Sequence, residues 1–148
     1  MTYSTMTKQV KDIMTREVIC LNTEDIVTKV DEIFSTHNIH HIPILSIKDK
    51  VVGIISKTDF ERISAGFSMF KMSKREEYNH ALYRSLRAVE IMTKDVKTIS
   101  AVSNVNEAIN IFKENRLHAL PVIDDDNIVG IITPYDIMVY YAEHCHCT

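Results

Sequence analysis

Residues 53–59 read GIISKTD and residues 130–136 read GIITPYD. Each stretch follows a valine and carries a glycine, two isoleucines, a hydroxyl residue and an aspartate three positions after it. The isoleucines read as the end of a covered strand. The hydroxyl and the carboxylate read as a helix start, with Ser56 or Thr133 at the N-cap and an acid at the third helical position. Thr133-Pro134-Tyr135-Asp136 adds a proline at the first helical position, where a missing N–H costs nothing. The same two groups also suit a sugar, because a carboxylate accepts from two vicinal hydroxyls. Capping and ligand contact are both open at this point, and they are compatible.

Outward from these stretches the chain repeats itself. With an offset of 78 residues, Ile13-Met14-Thr15 falls on Ile91-Met92-Thr93, Val27 on Val105, Ile33-Phe34 on Ile111-Phe112, His40 on His118 and Pro43 on Pro121. One residue is then lost from the second copy. With an offset of 77, Asp49 falls on Asp126, Val52-Gly53-Ile54-Ile55 on Val129-Gly130-Ile131-Ile132, and Asp59 on Asp136. A unit of about fifty residues is too small to bury a sizeable core alone, so the copies are expected to pack together.

Each copy reads β-α-β-β-α, an α+β pattern. A short extended run, Val18 to Leu21 or Val96 to Ile99, leads to a helix with apolar residues at helical spacing: Val27, Val30, Ile33 and Phe34, then Val105, Ala108, Ile109 and Phe112. Asp25 and Ser103 stand where N-caps are expected. Two strands follow, Ile42 to Leu45 and Val51 to Ile55, matched by Leu120 to Ile123 and Ile128 to Ile132, with polar turns between. The expected organisation is a first domain over 8–62, a partly helical connecting segment over 63–87, a second domain over 88–142 and a disordered tail over 143–148. In the connecting segment Gly66 is a candidate helix breaker. A helix is expected from Ser73 to Ala88, with Tyr78, Leu82, Tyr83 and Leu86 as an apolar stripe. The basic residues Lys71, Lys74, Arg75, Arg84 and Arg87 are read as mostly solvated.

Bulk composition narrows the function classes. The chain has 148 residues, 45% hydrophobic and 25% charged, with a net charge of −3. Nucleic-acid binders usually carry a basic excess, so that partner is not expected. No apolar run approaches a membrane span, and MTYSTMTKQVKD lacks the apolar core of a signal peptide. Three cysteines, Cys20, Cys145 and Cys147, are too few and too unevenly placed for a disulfide scaffold, which fits a reducing cytoplasm.

The doubled Ile-Met-Thr, the segments Asn38 to Ile44 and Arg116 to Val122, and the doubled Gly-Ile-Ile-(Ser/Thr)-x-x-Asp together closely resemble a tandem pair of cystathionine-β-synthase (CBS) domains, also called a Bateman module. The resemblance covers residues 10–60 and 88–140. It implies two units related by a pseudo-twofold axis, their sheets face to face, and clefts between them for adenosine-containing ligands such as AMP, ADP or ATP. It further implies a non-catalytic regulatory role of the energy-sensing kind, a homodimer, and a conformational signal passed to an effector protein. The rival reading is a structural, protein-interaction or dimerisation module without a ligand.

By that resemblance Asp59 and Asp136 accept from the ribose hydroxyls, with Ser56 and Thr133 beside them. The adenine pocket falls to Val18, Ile19, Ile42 and Pro43 in one copy and to Val96, Leu120 and Pro121 in the other. As bare sequence, each of these apolar residues also reads as core. Lys97 stands where the first copy has Ile19, so the two slots differ. His40, His41, His118 and Arg116 are phosphate-proximal. Related adenylate sensors carry a His-Arg pair here, whereas this chain has His40-His41 and His118-Ala119. Lys11 and Lys57 lie near the same segments. No nucleophile–base pair and no G-x-x-x-x-G-K-(S/T) loop is present, so no enzyme and no cofactor is expected. His144-Cys145-His146-Cys147 is the one run with metal-ligand character; four adjacent ligands do not easily wrap one ion, and no metal site is expected.

Overall fold

The computed structural model describes residues 8–66 and 75–144. Lys71, Lys74, the side chains of Arg75 and Tyr78, and the tail residues Cys145, His146 and Cys147 lie outside the described residues. The chain divides into two compact units. One is continuous, Ile19–Val96; the other joins Met1–Val18 to Lys97–Thr148.

The continuous unit contains β1 (Leu21–Asn22), α1 (Val27–Thr36), β2 (His41–Leu45), β3 (Val51–Ser56), α2 (Lys57–Gly66), α3 (Arg75–Ser85) and α4 (Ala88–Ile91). Its sheet has the order β1-β2-β3, with β1 parallel and β3 antiparallel to β2. The β1 and β2 strands run parallel because α1 carries the chain back between them. Val27, Val30 and Phe34 recur at helical spacing on α1 and pack on Ile42, Ile44 and Ile55 of the sheet. The connecting segment joins this core. Tyr83 of α3 is buried beside Phe60, whose ring lies between those of Phe34 and Tyr83 at centroid separations of 5.7 and 5.3 Å. The Tyr83 hydroxyl pairs with Ser64 Oγ, which gives the buried ring a partner for its polar tip.

The second unit contains a short 3-10 turn at Val10–Asp12, then β4 (Ile99–Ser100), α5 (Val105–Asn115), β5 (Leu120–Asp124), β6 (Asn127–Ile132) and α6 (Pro134–His144). The sheet order β4-β5-β6 repeats the first pattern, parallel then antiparallel. The residue lost from the second copy is lost in the hairpin turn. Ser46 to Lys50 connects β2 to β3, whereas Asp125 and Asp126 alone connect β5 to β6. Both aspartates have positive φ (51° and 65°), the geometry a two-residue hairpin turn demands. α6 runs through His144, two residues into the stretch read from sequence as tail. Among the described residues no helix is long and apolar enough to cross a membrane.

Two local expectations shift. The first strand of each copy begins later than read, at Leu21 and Ile99, because only Leu21–Asn22 and Ile99–Ser100 reach a neighbouring strand. The helix N-caps are Ile26 and Asn104 rather than Asp25 and Ser103. Asp25 instead closes the turn before α1, accepting from Asn22 N–H at 2.7 Å and from Lys29 Nζ at 2.8 Å. Burial pushes the Asp25 carboxyl up, but the hydrogen bonds from Lys29 and Asn22 and the Lys29 charge outweigh it and leave the group below its usual range.

The composition of each unit explains the repeated motifs. The lead-in of the first copy, residues 8–15, docks on the second copy. Val10 N–H donates to Ser103 O at 2.8 Å, Lys11 N–H to Ala101 O at 2.9 Å, and Val105 N–H to Lys8 O at 2.9 Å. Thr15 and Ile131 exchange both backbone bonds at 2.9 Å. The lead-in of the second copy, residues 86–93, docks on the first copy in the same register. Ala88 N–H donates to Asp25 O at 2.7 Å, Val27 N–H to Leu86 O at 2.9 Å, and Thr93 and Ile54 exchange bonds at 2.9 and 3.1 Å. Ile-Met-Thr of one copy is therefore the mate of Gly-Ile-Ile of the other. The glycines do not serve an unusual backbone conformation, since neither has positive φ. They leave room for methionine: a Cβ on Gly53 would meet the Met92 side chain, and one on Gly130 would meet Met14 and the Thr15 carbonyl.

Candidate functional site

In the continuous unit, β3 ends at Ser56 and turns directly into α2. Ser56 lies opposite His41 in the β2–β3 pairing. Lys57 N–H, at the first helical position, donates to His40 O at 2.8 Å, so the His40-His41 corner is tied to the helix start. Ser56 Oγ accepts from Asp59 N–H at 3.0 Å and so caps α2, as expected. The Asp59 carboxylate does not reach back. Its Oδ1 accepts from Arg62 Nη1 at 3.2 Å, one turn along the helix, and its side chain is 45% exposed. Asp59, Ser56, His40 and His41 thus meet at one helix N-terminus, where backbone N–H groups and the helix dipole favour an anion.

Asp136, the matched residue, is held differently. Thr133 N–H donates to its Oδ2 at 2.9 Å and Thr133 Oγ1 at 3.1 Å, while Asp136 N–H donates to Thr133 Oγ1 at 3.2 Å. That is a closed capping box. The other oxygen, Oδ1, accepts from Thr15 Oγ1 at 3.1 Å. A groove of about 410 Å³ runs beside it, lined by Lys8, Asp12, Ile13, Tyr135, Asp136, Val139, Tyr140, Glu143 and His144. Pro134 supplies no N–H at the position equivalent to Lys57.

The other residues singled out from sequence fall as follows. Ile42, Pro43, Leu120 and Pro121 are fully buried in their cores and present no surface here. Ile19 is half-buried, at the start of the continuous unit, which also holds Val96; Val18 belongs with Leu120 and Pro121. His40 and His118 are exposed. Arg116 is exposed and ends α5 in the left-handed conformation, with φ 51°. Among the described residues no cluster of three or more His, Cys, Asp and Glu is placed to hold a metal ion. Thr15 and Arg62, the residues that set the two carboxylates apart, were not among the candidates. The doubled Ile-Met-Thr carried a signal for Thr15; Arg62 lies just beyond the motif and carried none.

Cys20 lies between Ile19 and β1. Burial pushes its thiol from an ordinary 9.0 up to about 11. The thiolate is the reactive form, so at pH 7.5 Cys20 is expected to alkylate roughly a hundredfold more slowly than in the urea-unfolded chain. Its rate should climb up to about pH 11. Mass spectrometry resolves Cys20 from Cys145 and Cys147; equal rates in folded and unfolded protein would contradict this burial.

Comparison with known proteins places these features. The chain is 27% identical over 132 residues to inosine-5'-monophosphate dehydrogenase of Methanocaldococcus jannaschii, covering 88% of this chain and 23% of the dehydrogenase. It therefore spans about a quarter of that enzyme's length. Among solved structures, the CBS domain of a CBS-domain-containing membrane protein from Sphaerobacter thermophilus matches with TM-score 0.78 and 25% identity, over 92% of this chain and 89% of that one. The CBS domain pair of protein MJ0100, in complex with 5'-methylthioadenosine and S-adenosyl-L-methionine, matches with TM-score 0.70 and 26% identity, over 94% and 99% of the two chains. The CBS domain profile matches twice, at residues 10–66 and 88–143, and the chain belongs to the CBS domain family as a tandem pair.

Proposed function

We propose that this chain is a non-catalytic regulatory module that binds an adenosine-containing ligand through Asp59 and signals through a change in conformation. The observation that carries the reading is the Asp59 carboxylate: half-exposed, at a helix N-terminus, beside Ser56 and the His40-His41 corner. A carboxylate so placed accepts from both hydroxyls of a ribose with charge-assisted bonds. The similar MJ0100 pair was solved with two adenosyl compounds, which supports the ligand class. The likeness to the dehydrogenase is confined to a quarter of that enzyme, which supports a regulatory rather than a catalytic part. AMP, ADP and ATP are the ligands we favour, with His40, His41, His118 and Arg116 the candidates near phosphate. A homodimer and an effector protein complete the proposal.

The test is thermal melting with AMP, ADP, ATP, 5'-methylthioadenosine and S-adenosylmethionine. At a ligand concentration a hundred times Kd, a ligand bound only by the folded state adds about 2.7 kcal/mol. For a chain of this size that is a rise in Tm of about 5–10 °C. Asp59→Ala should abolish the shift. No shift with any of the five would leave the ligand-free interaction module as the better reading.

A further inference from the structure

The two repeated carboxylates occupy the same place in the motif but are in different states. Asp136 receives three donors: Thr133 N–H, Thr133 Oγ1 and Thr15 Oγ1. Among the described residues Asp59 receives one side-chain donor, Arg62. The cause lies one turn further along each helix. Arg62 stands three residues after Asp59 and draws the carboxylate outward along the helix surface. Its counterpart three residues after Asp136 is Val139, which offers no charge. Asp136 therefore folds back, closes its capping box and accepts from Thr15.

The threonines tell the same story. Thr15 and Thr93 are matched residues, and each is pinned by a pair of backbone bonds, to Ile131 and Ile54 respectively. The Thr15 hydroxyl donates to Asp136 Oδ1. Among the described residues the Thr93 hydroxyl makes no bond to Asp59. Asp136 is reachable from its groove, but a vicinal diol there would have to turn the Thr15 hydroxyl off Oδ1 and compete with the Thr133 donors on Oδ2. At Asp59 it would meet one exposed ion pair, which water screens and which a ligand displaces readily.

We propose that the two motifs are not equivalent binding sites: the chain takes one adenosine-type ligand, at Asp59, with Arg62 as the positioning residue, while Thr15 latches Asp136 shut. This assignment rests on the adenosine reading above. The latch also makes the second site conditional, because a ligand that did reach Asp136 would release the Thr15 side chain from α6.

Isothermal titration of the full chain with AMP and with S-adenosylmethionine tests it. The wild type should bind one equivalent per chain. Asp59→Asn should abolish that binding, and Asp136→Asn should leave its affinity within about twofold. Arg62→Val should weaken it about two- to fivefold, the scale of an exposed ion pair, because Asp59 is then free to close its own capping box; Arg62→Lys should restore most of the loss. Thr15→Val combined with Val139→Arg, which removes the Thr15 bond and supplies the counterpart of Arg62, should add a second equivalent. Circular dichroism melts establish that each variant is folded, and the wild-type stoichiometry with Asp59→Asn decides the matter even if Asp136→Asn does not fold. Two equivalents in the wild type, binding lost in Asp136→Asn but kept in Asp59→Asn, or no second equivalent in the folded Thr15→Val, Val139→Arg double variant would overturn the assignment and leave the adenosine reading standing. No binding of either probe by the wild type would overturn both.

Discussion

Val10→Asp unfolds the unit that holds the second copy of the repeat and leaves the unit that holds most of the first copy intact. Val10 is fully buried in a core made with Ile99, Val105, Leu120, Val122 and Ile132. Its backbone N–H donates to Ser103 and that of Lys11 to Ala101, so the segment cannot swing out without losing bonds to the β4–α5 turn. A carboxylate placed there has no partner among these apolar neighbours, and the cost is about 3–5 kcal/mol, a large share of a small domain's stability. Hydrogen exchange read by mass spectrometry should show protection lost across Ile99–Ile132 and kept across His41–Ser56. The opposite pattern, loss in β2 and β3, would mean that the lead-in packs on its own copy after all.

The glycine–methionine contacts give a second large effect, with a built-in distinction. Gly53→Ala and Gly130→Ala should each destabilise by about 1–3 kcal/mol through overpacking. The rescue should differ. All three atoms nearest a Cβ at Gly53 belong to the Met92 side chain, including Cγ at 2.7 Å and Cβ at 3.1 Å. Shortening Met92 to alanine removes the two closest atoms and leaves only the 3.1 Å Cβ contact, so Gly53→Ala should cost far less in a Met92→Ala background. At Gly130 the Thr15 carbonyl oxygen lies 2.9 Å away, and it is main chain held by the bridge to Ile131. Met14→Ala should therefore relieve Gly130→Ala only in part. Denaturant melts of the two double-mutant cycles measure the couplings; equal couplings would show that the Thr15 carbonyl gives way.

The architecture was legible where the signal was repetition. Two copies in one order, with matched apolar spacing on Val27 to Phe34 and Val105 to Phe112, specify β-α-β-β-α twice. The exchange of lead-ins was not legible, and the reason is symmetry. Ile13-Met14-Thr15 and Ile91-Met92-Thr93 are the same letters, as are Gly53-Ile54-Ile55 and Gly130-Ile131-Ile132. Pairing within a copy and pairing across copies are therefore chemically identical in sequence, and only chain path separates them. The α1 N-cap slipped by one residue because Asp25 had a competing use, the Asn22 N–H, and the α5 N-cap because the Asn104 side chain accepts from Asn106 N–H, neither of which spacing alone reveals. At the candidate site, the motif located both aspartates and hid their difference. What distinguishes Asp59 from Asp136 is Arg62 against Val139, and that pair sits outside the repeated letters.

The split composition of the units also sets an order of events during synthesis. Everything in the core that contains Val30, Ile42 and Tyr83 has been made once the chain reaches Val96. Its contacts close over modest separations, so this half can fold on the ribosome while the rest is still being translated. The lead-in over residues 8–15 emerges before that half and has no such partner. Val10 and Thr15 must wait for Ser103 and Ile131, nearly a hundred or more positions later, before they can dock. Such distant closures are the slow ones in folding. A segment made before either core is thus among the last to find its place, and until then Val10 and Met14 stay uncovered.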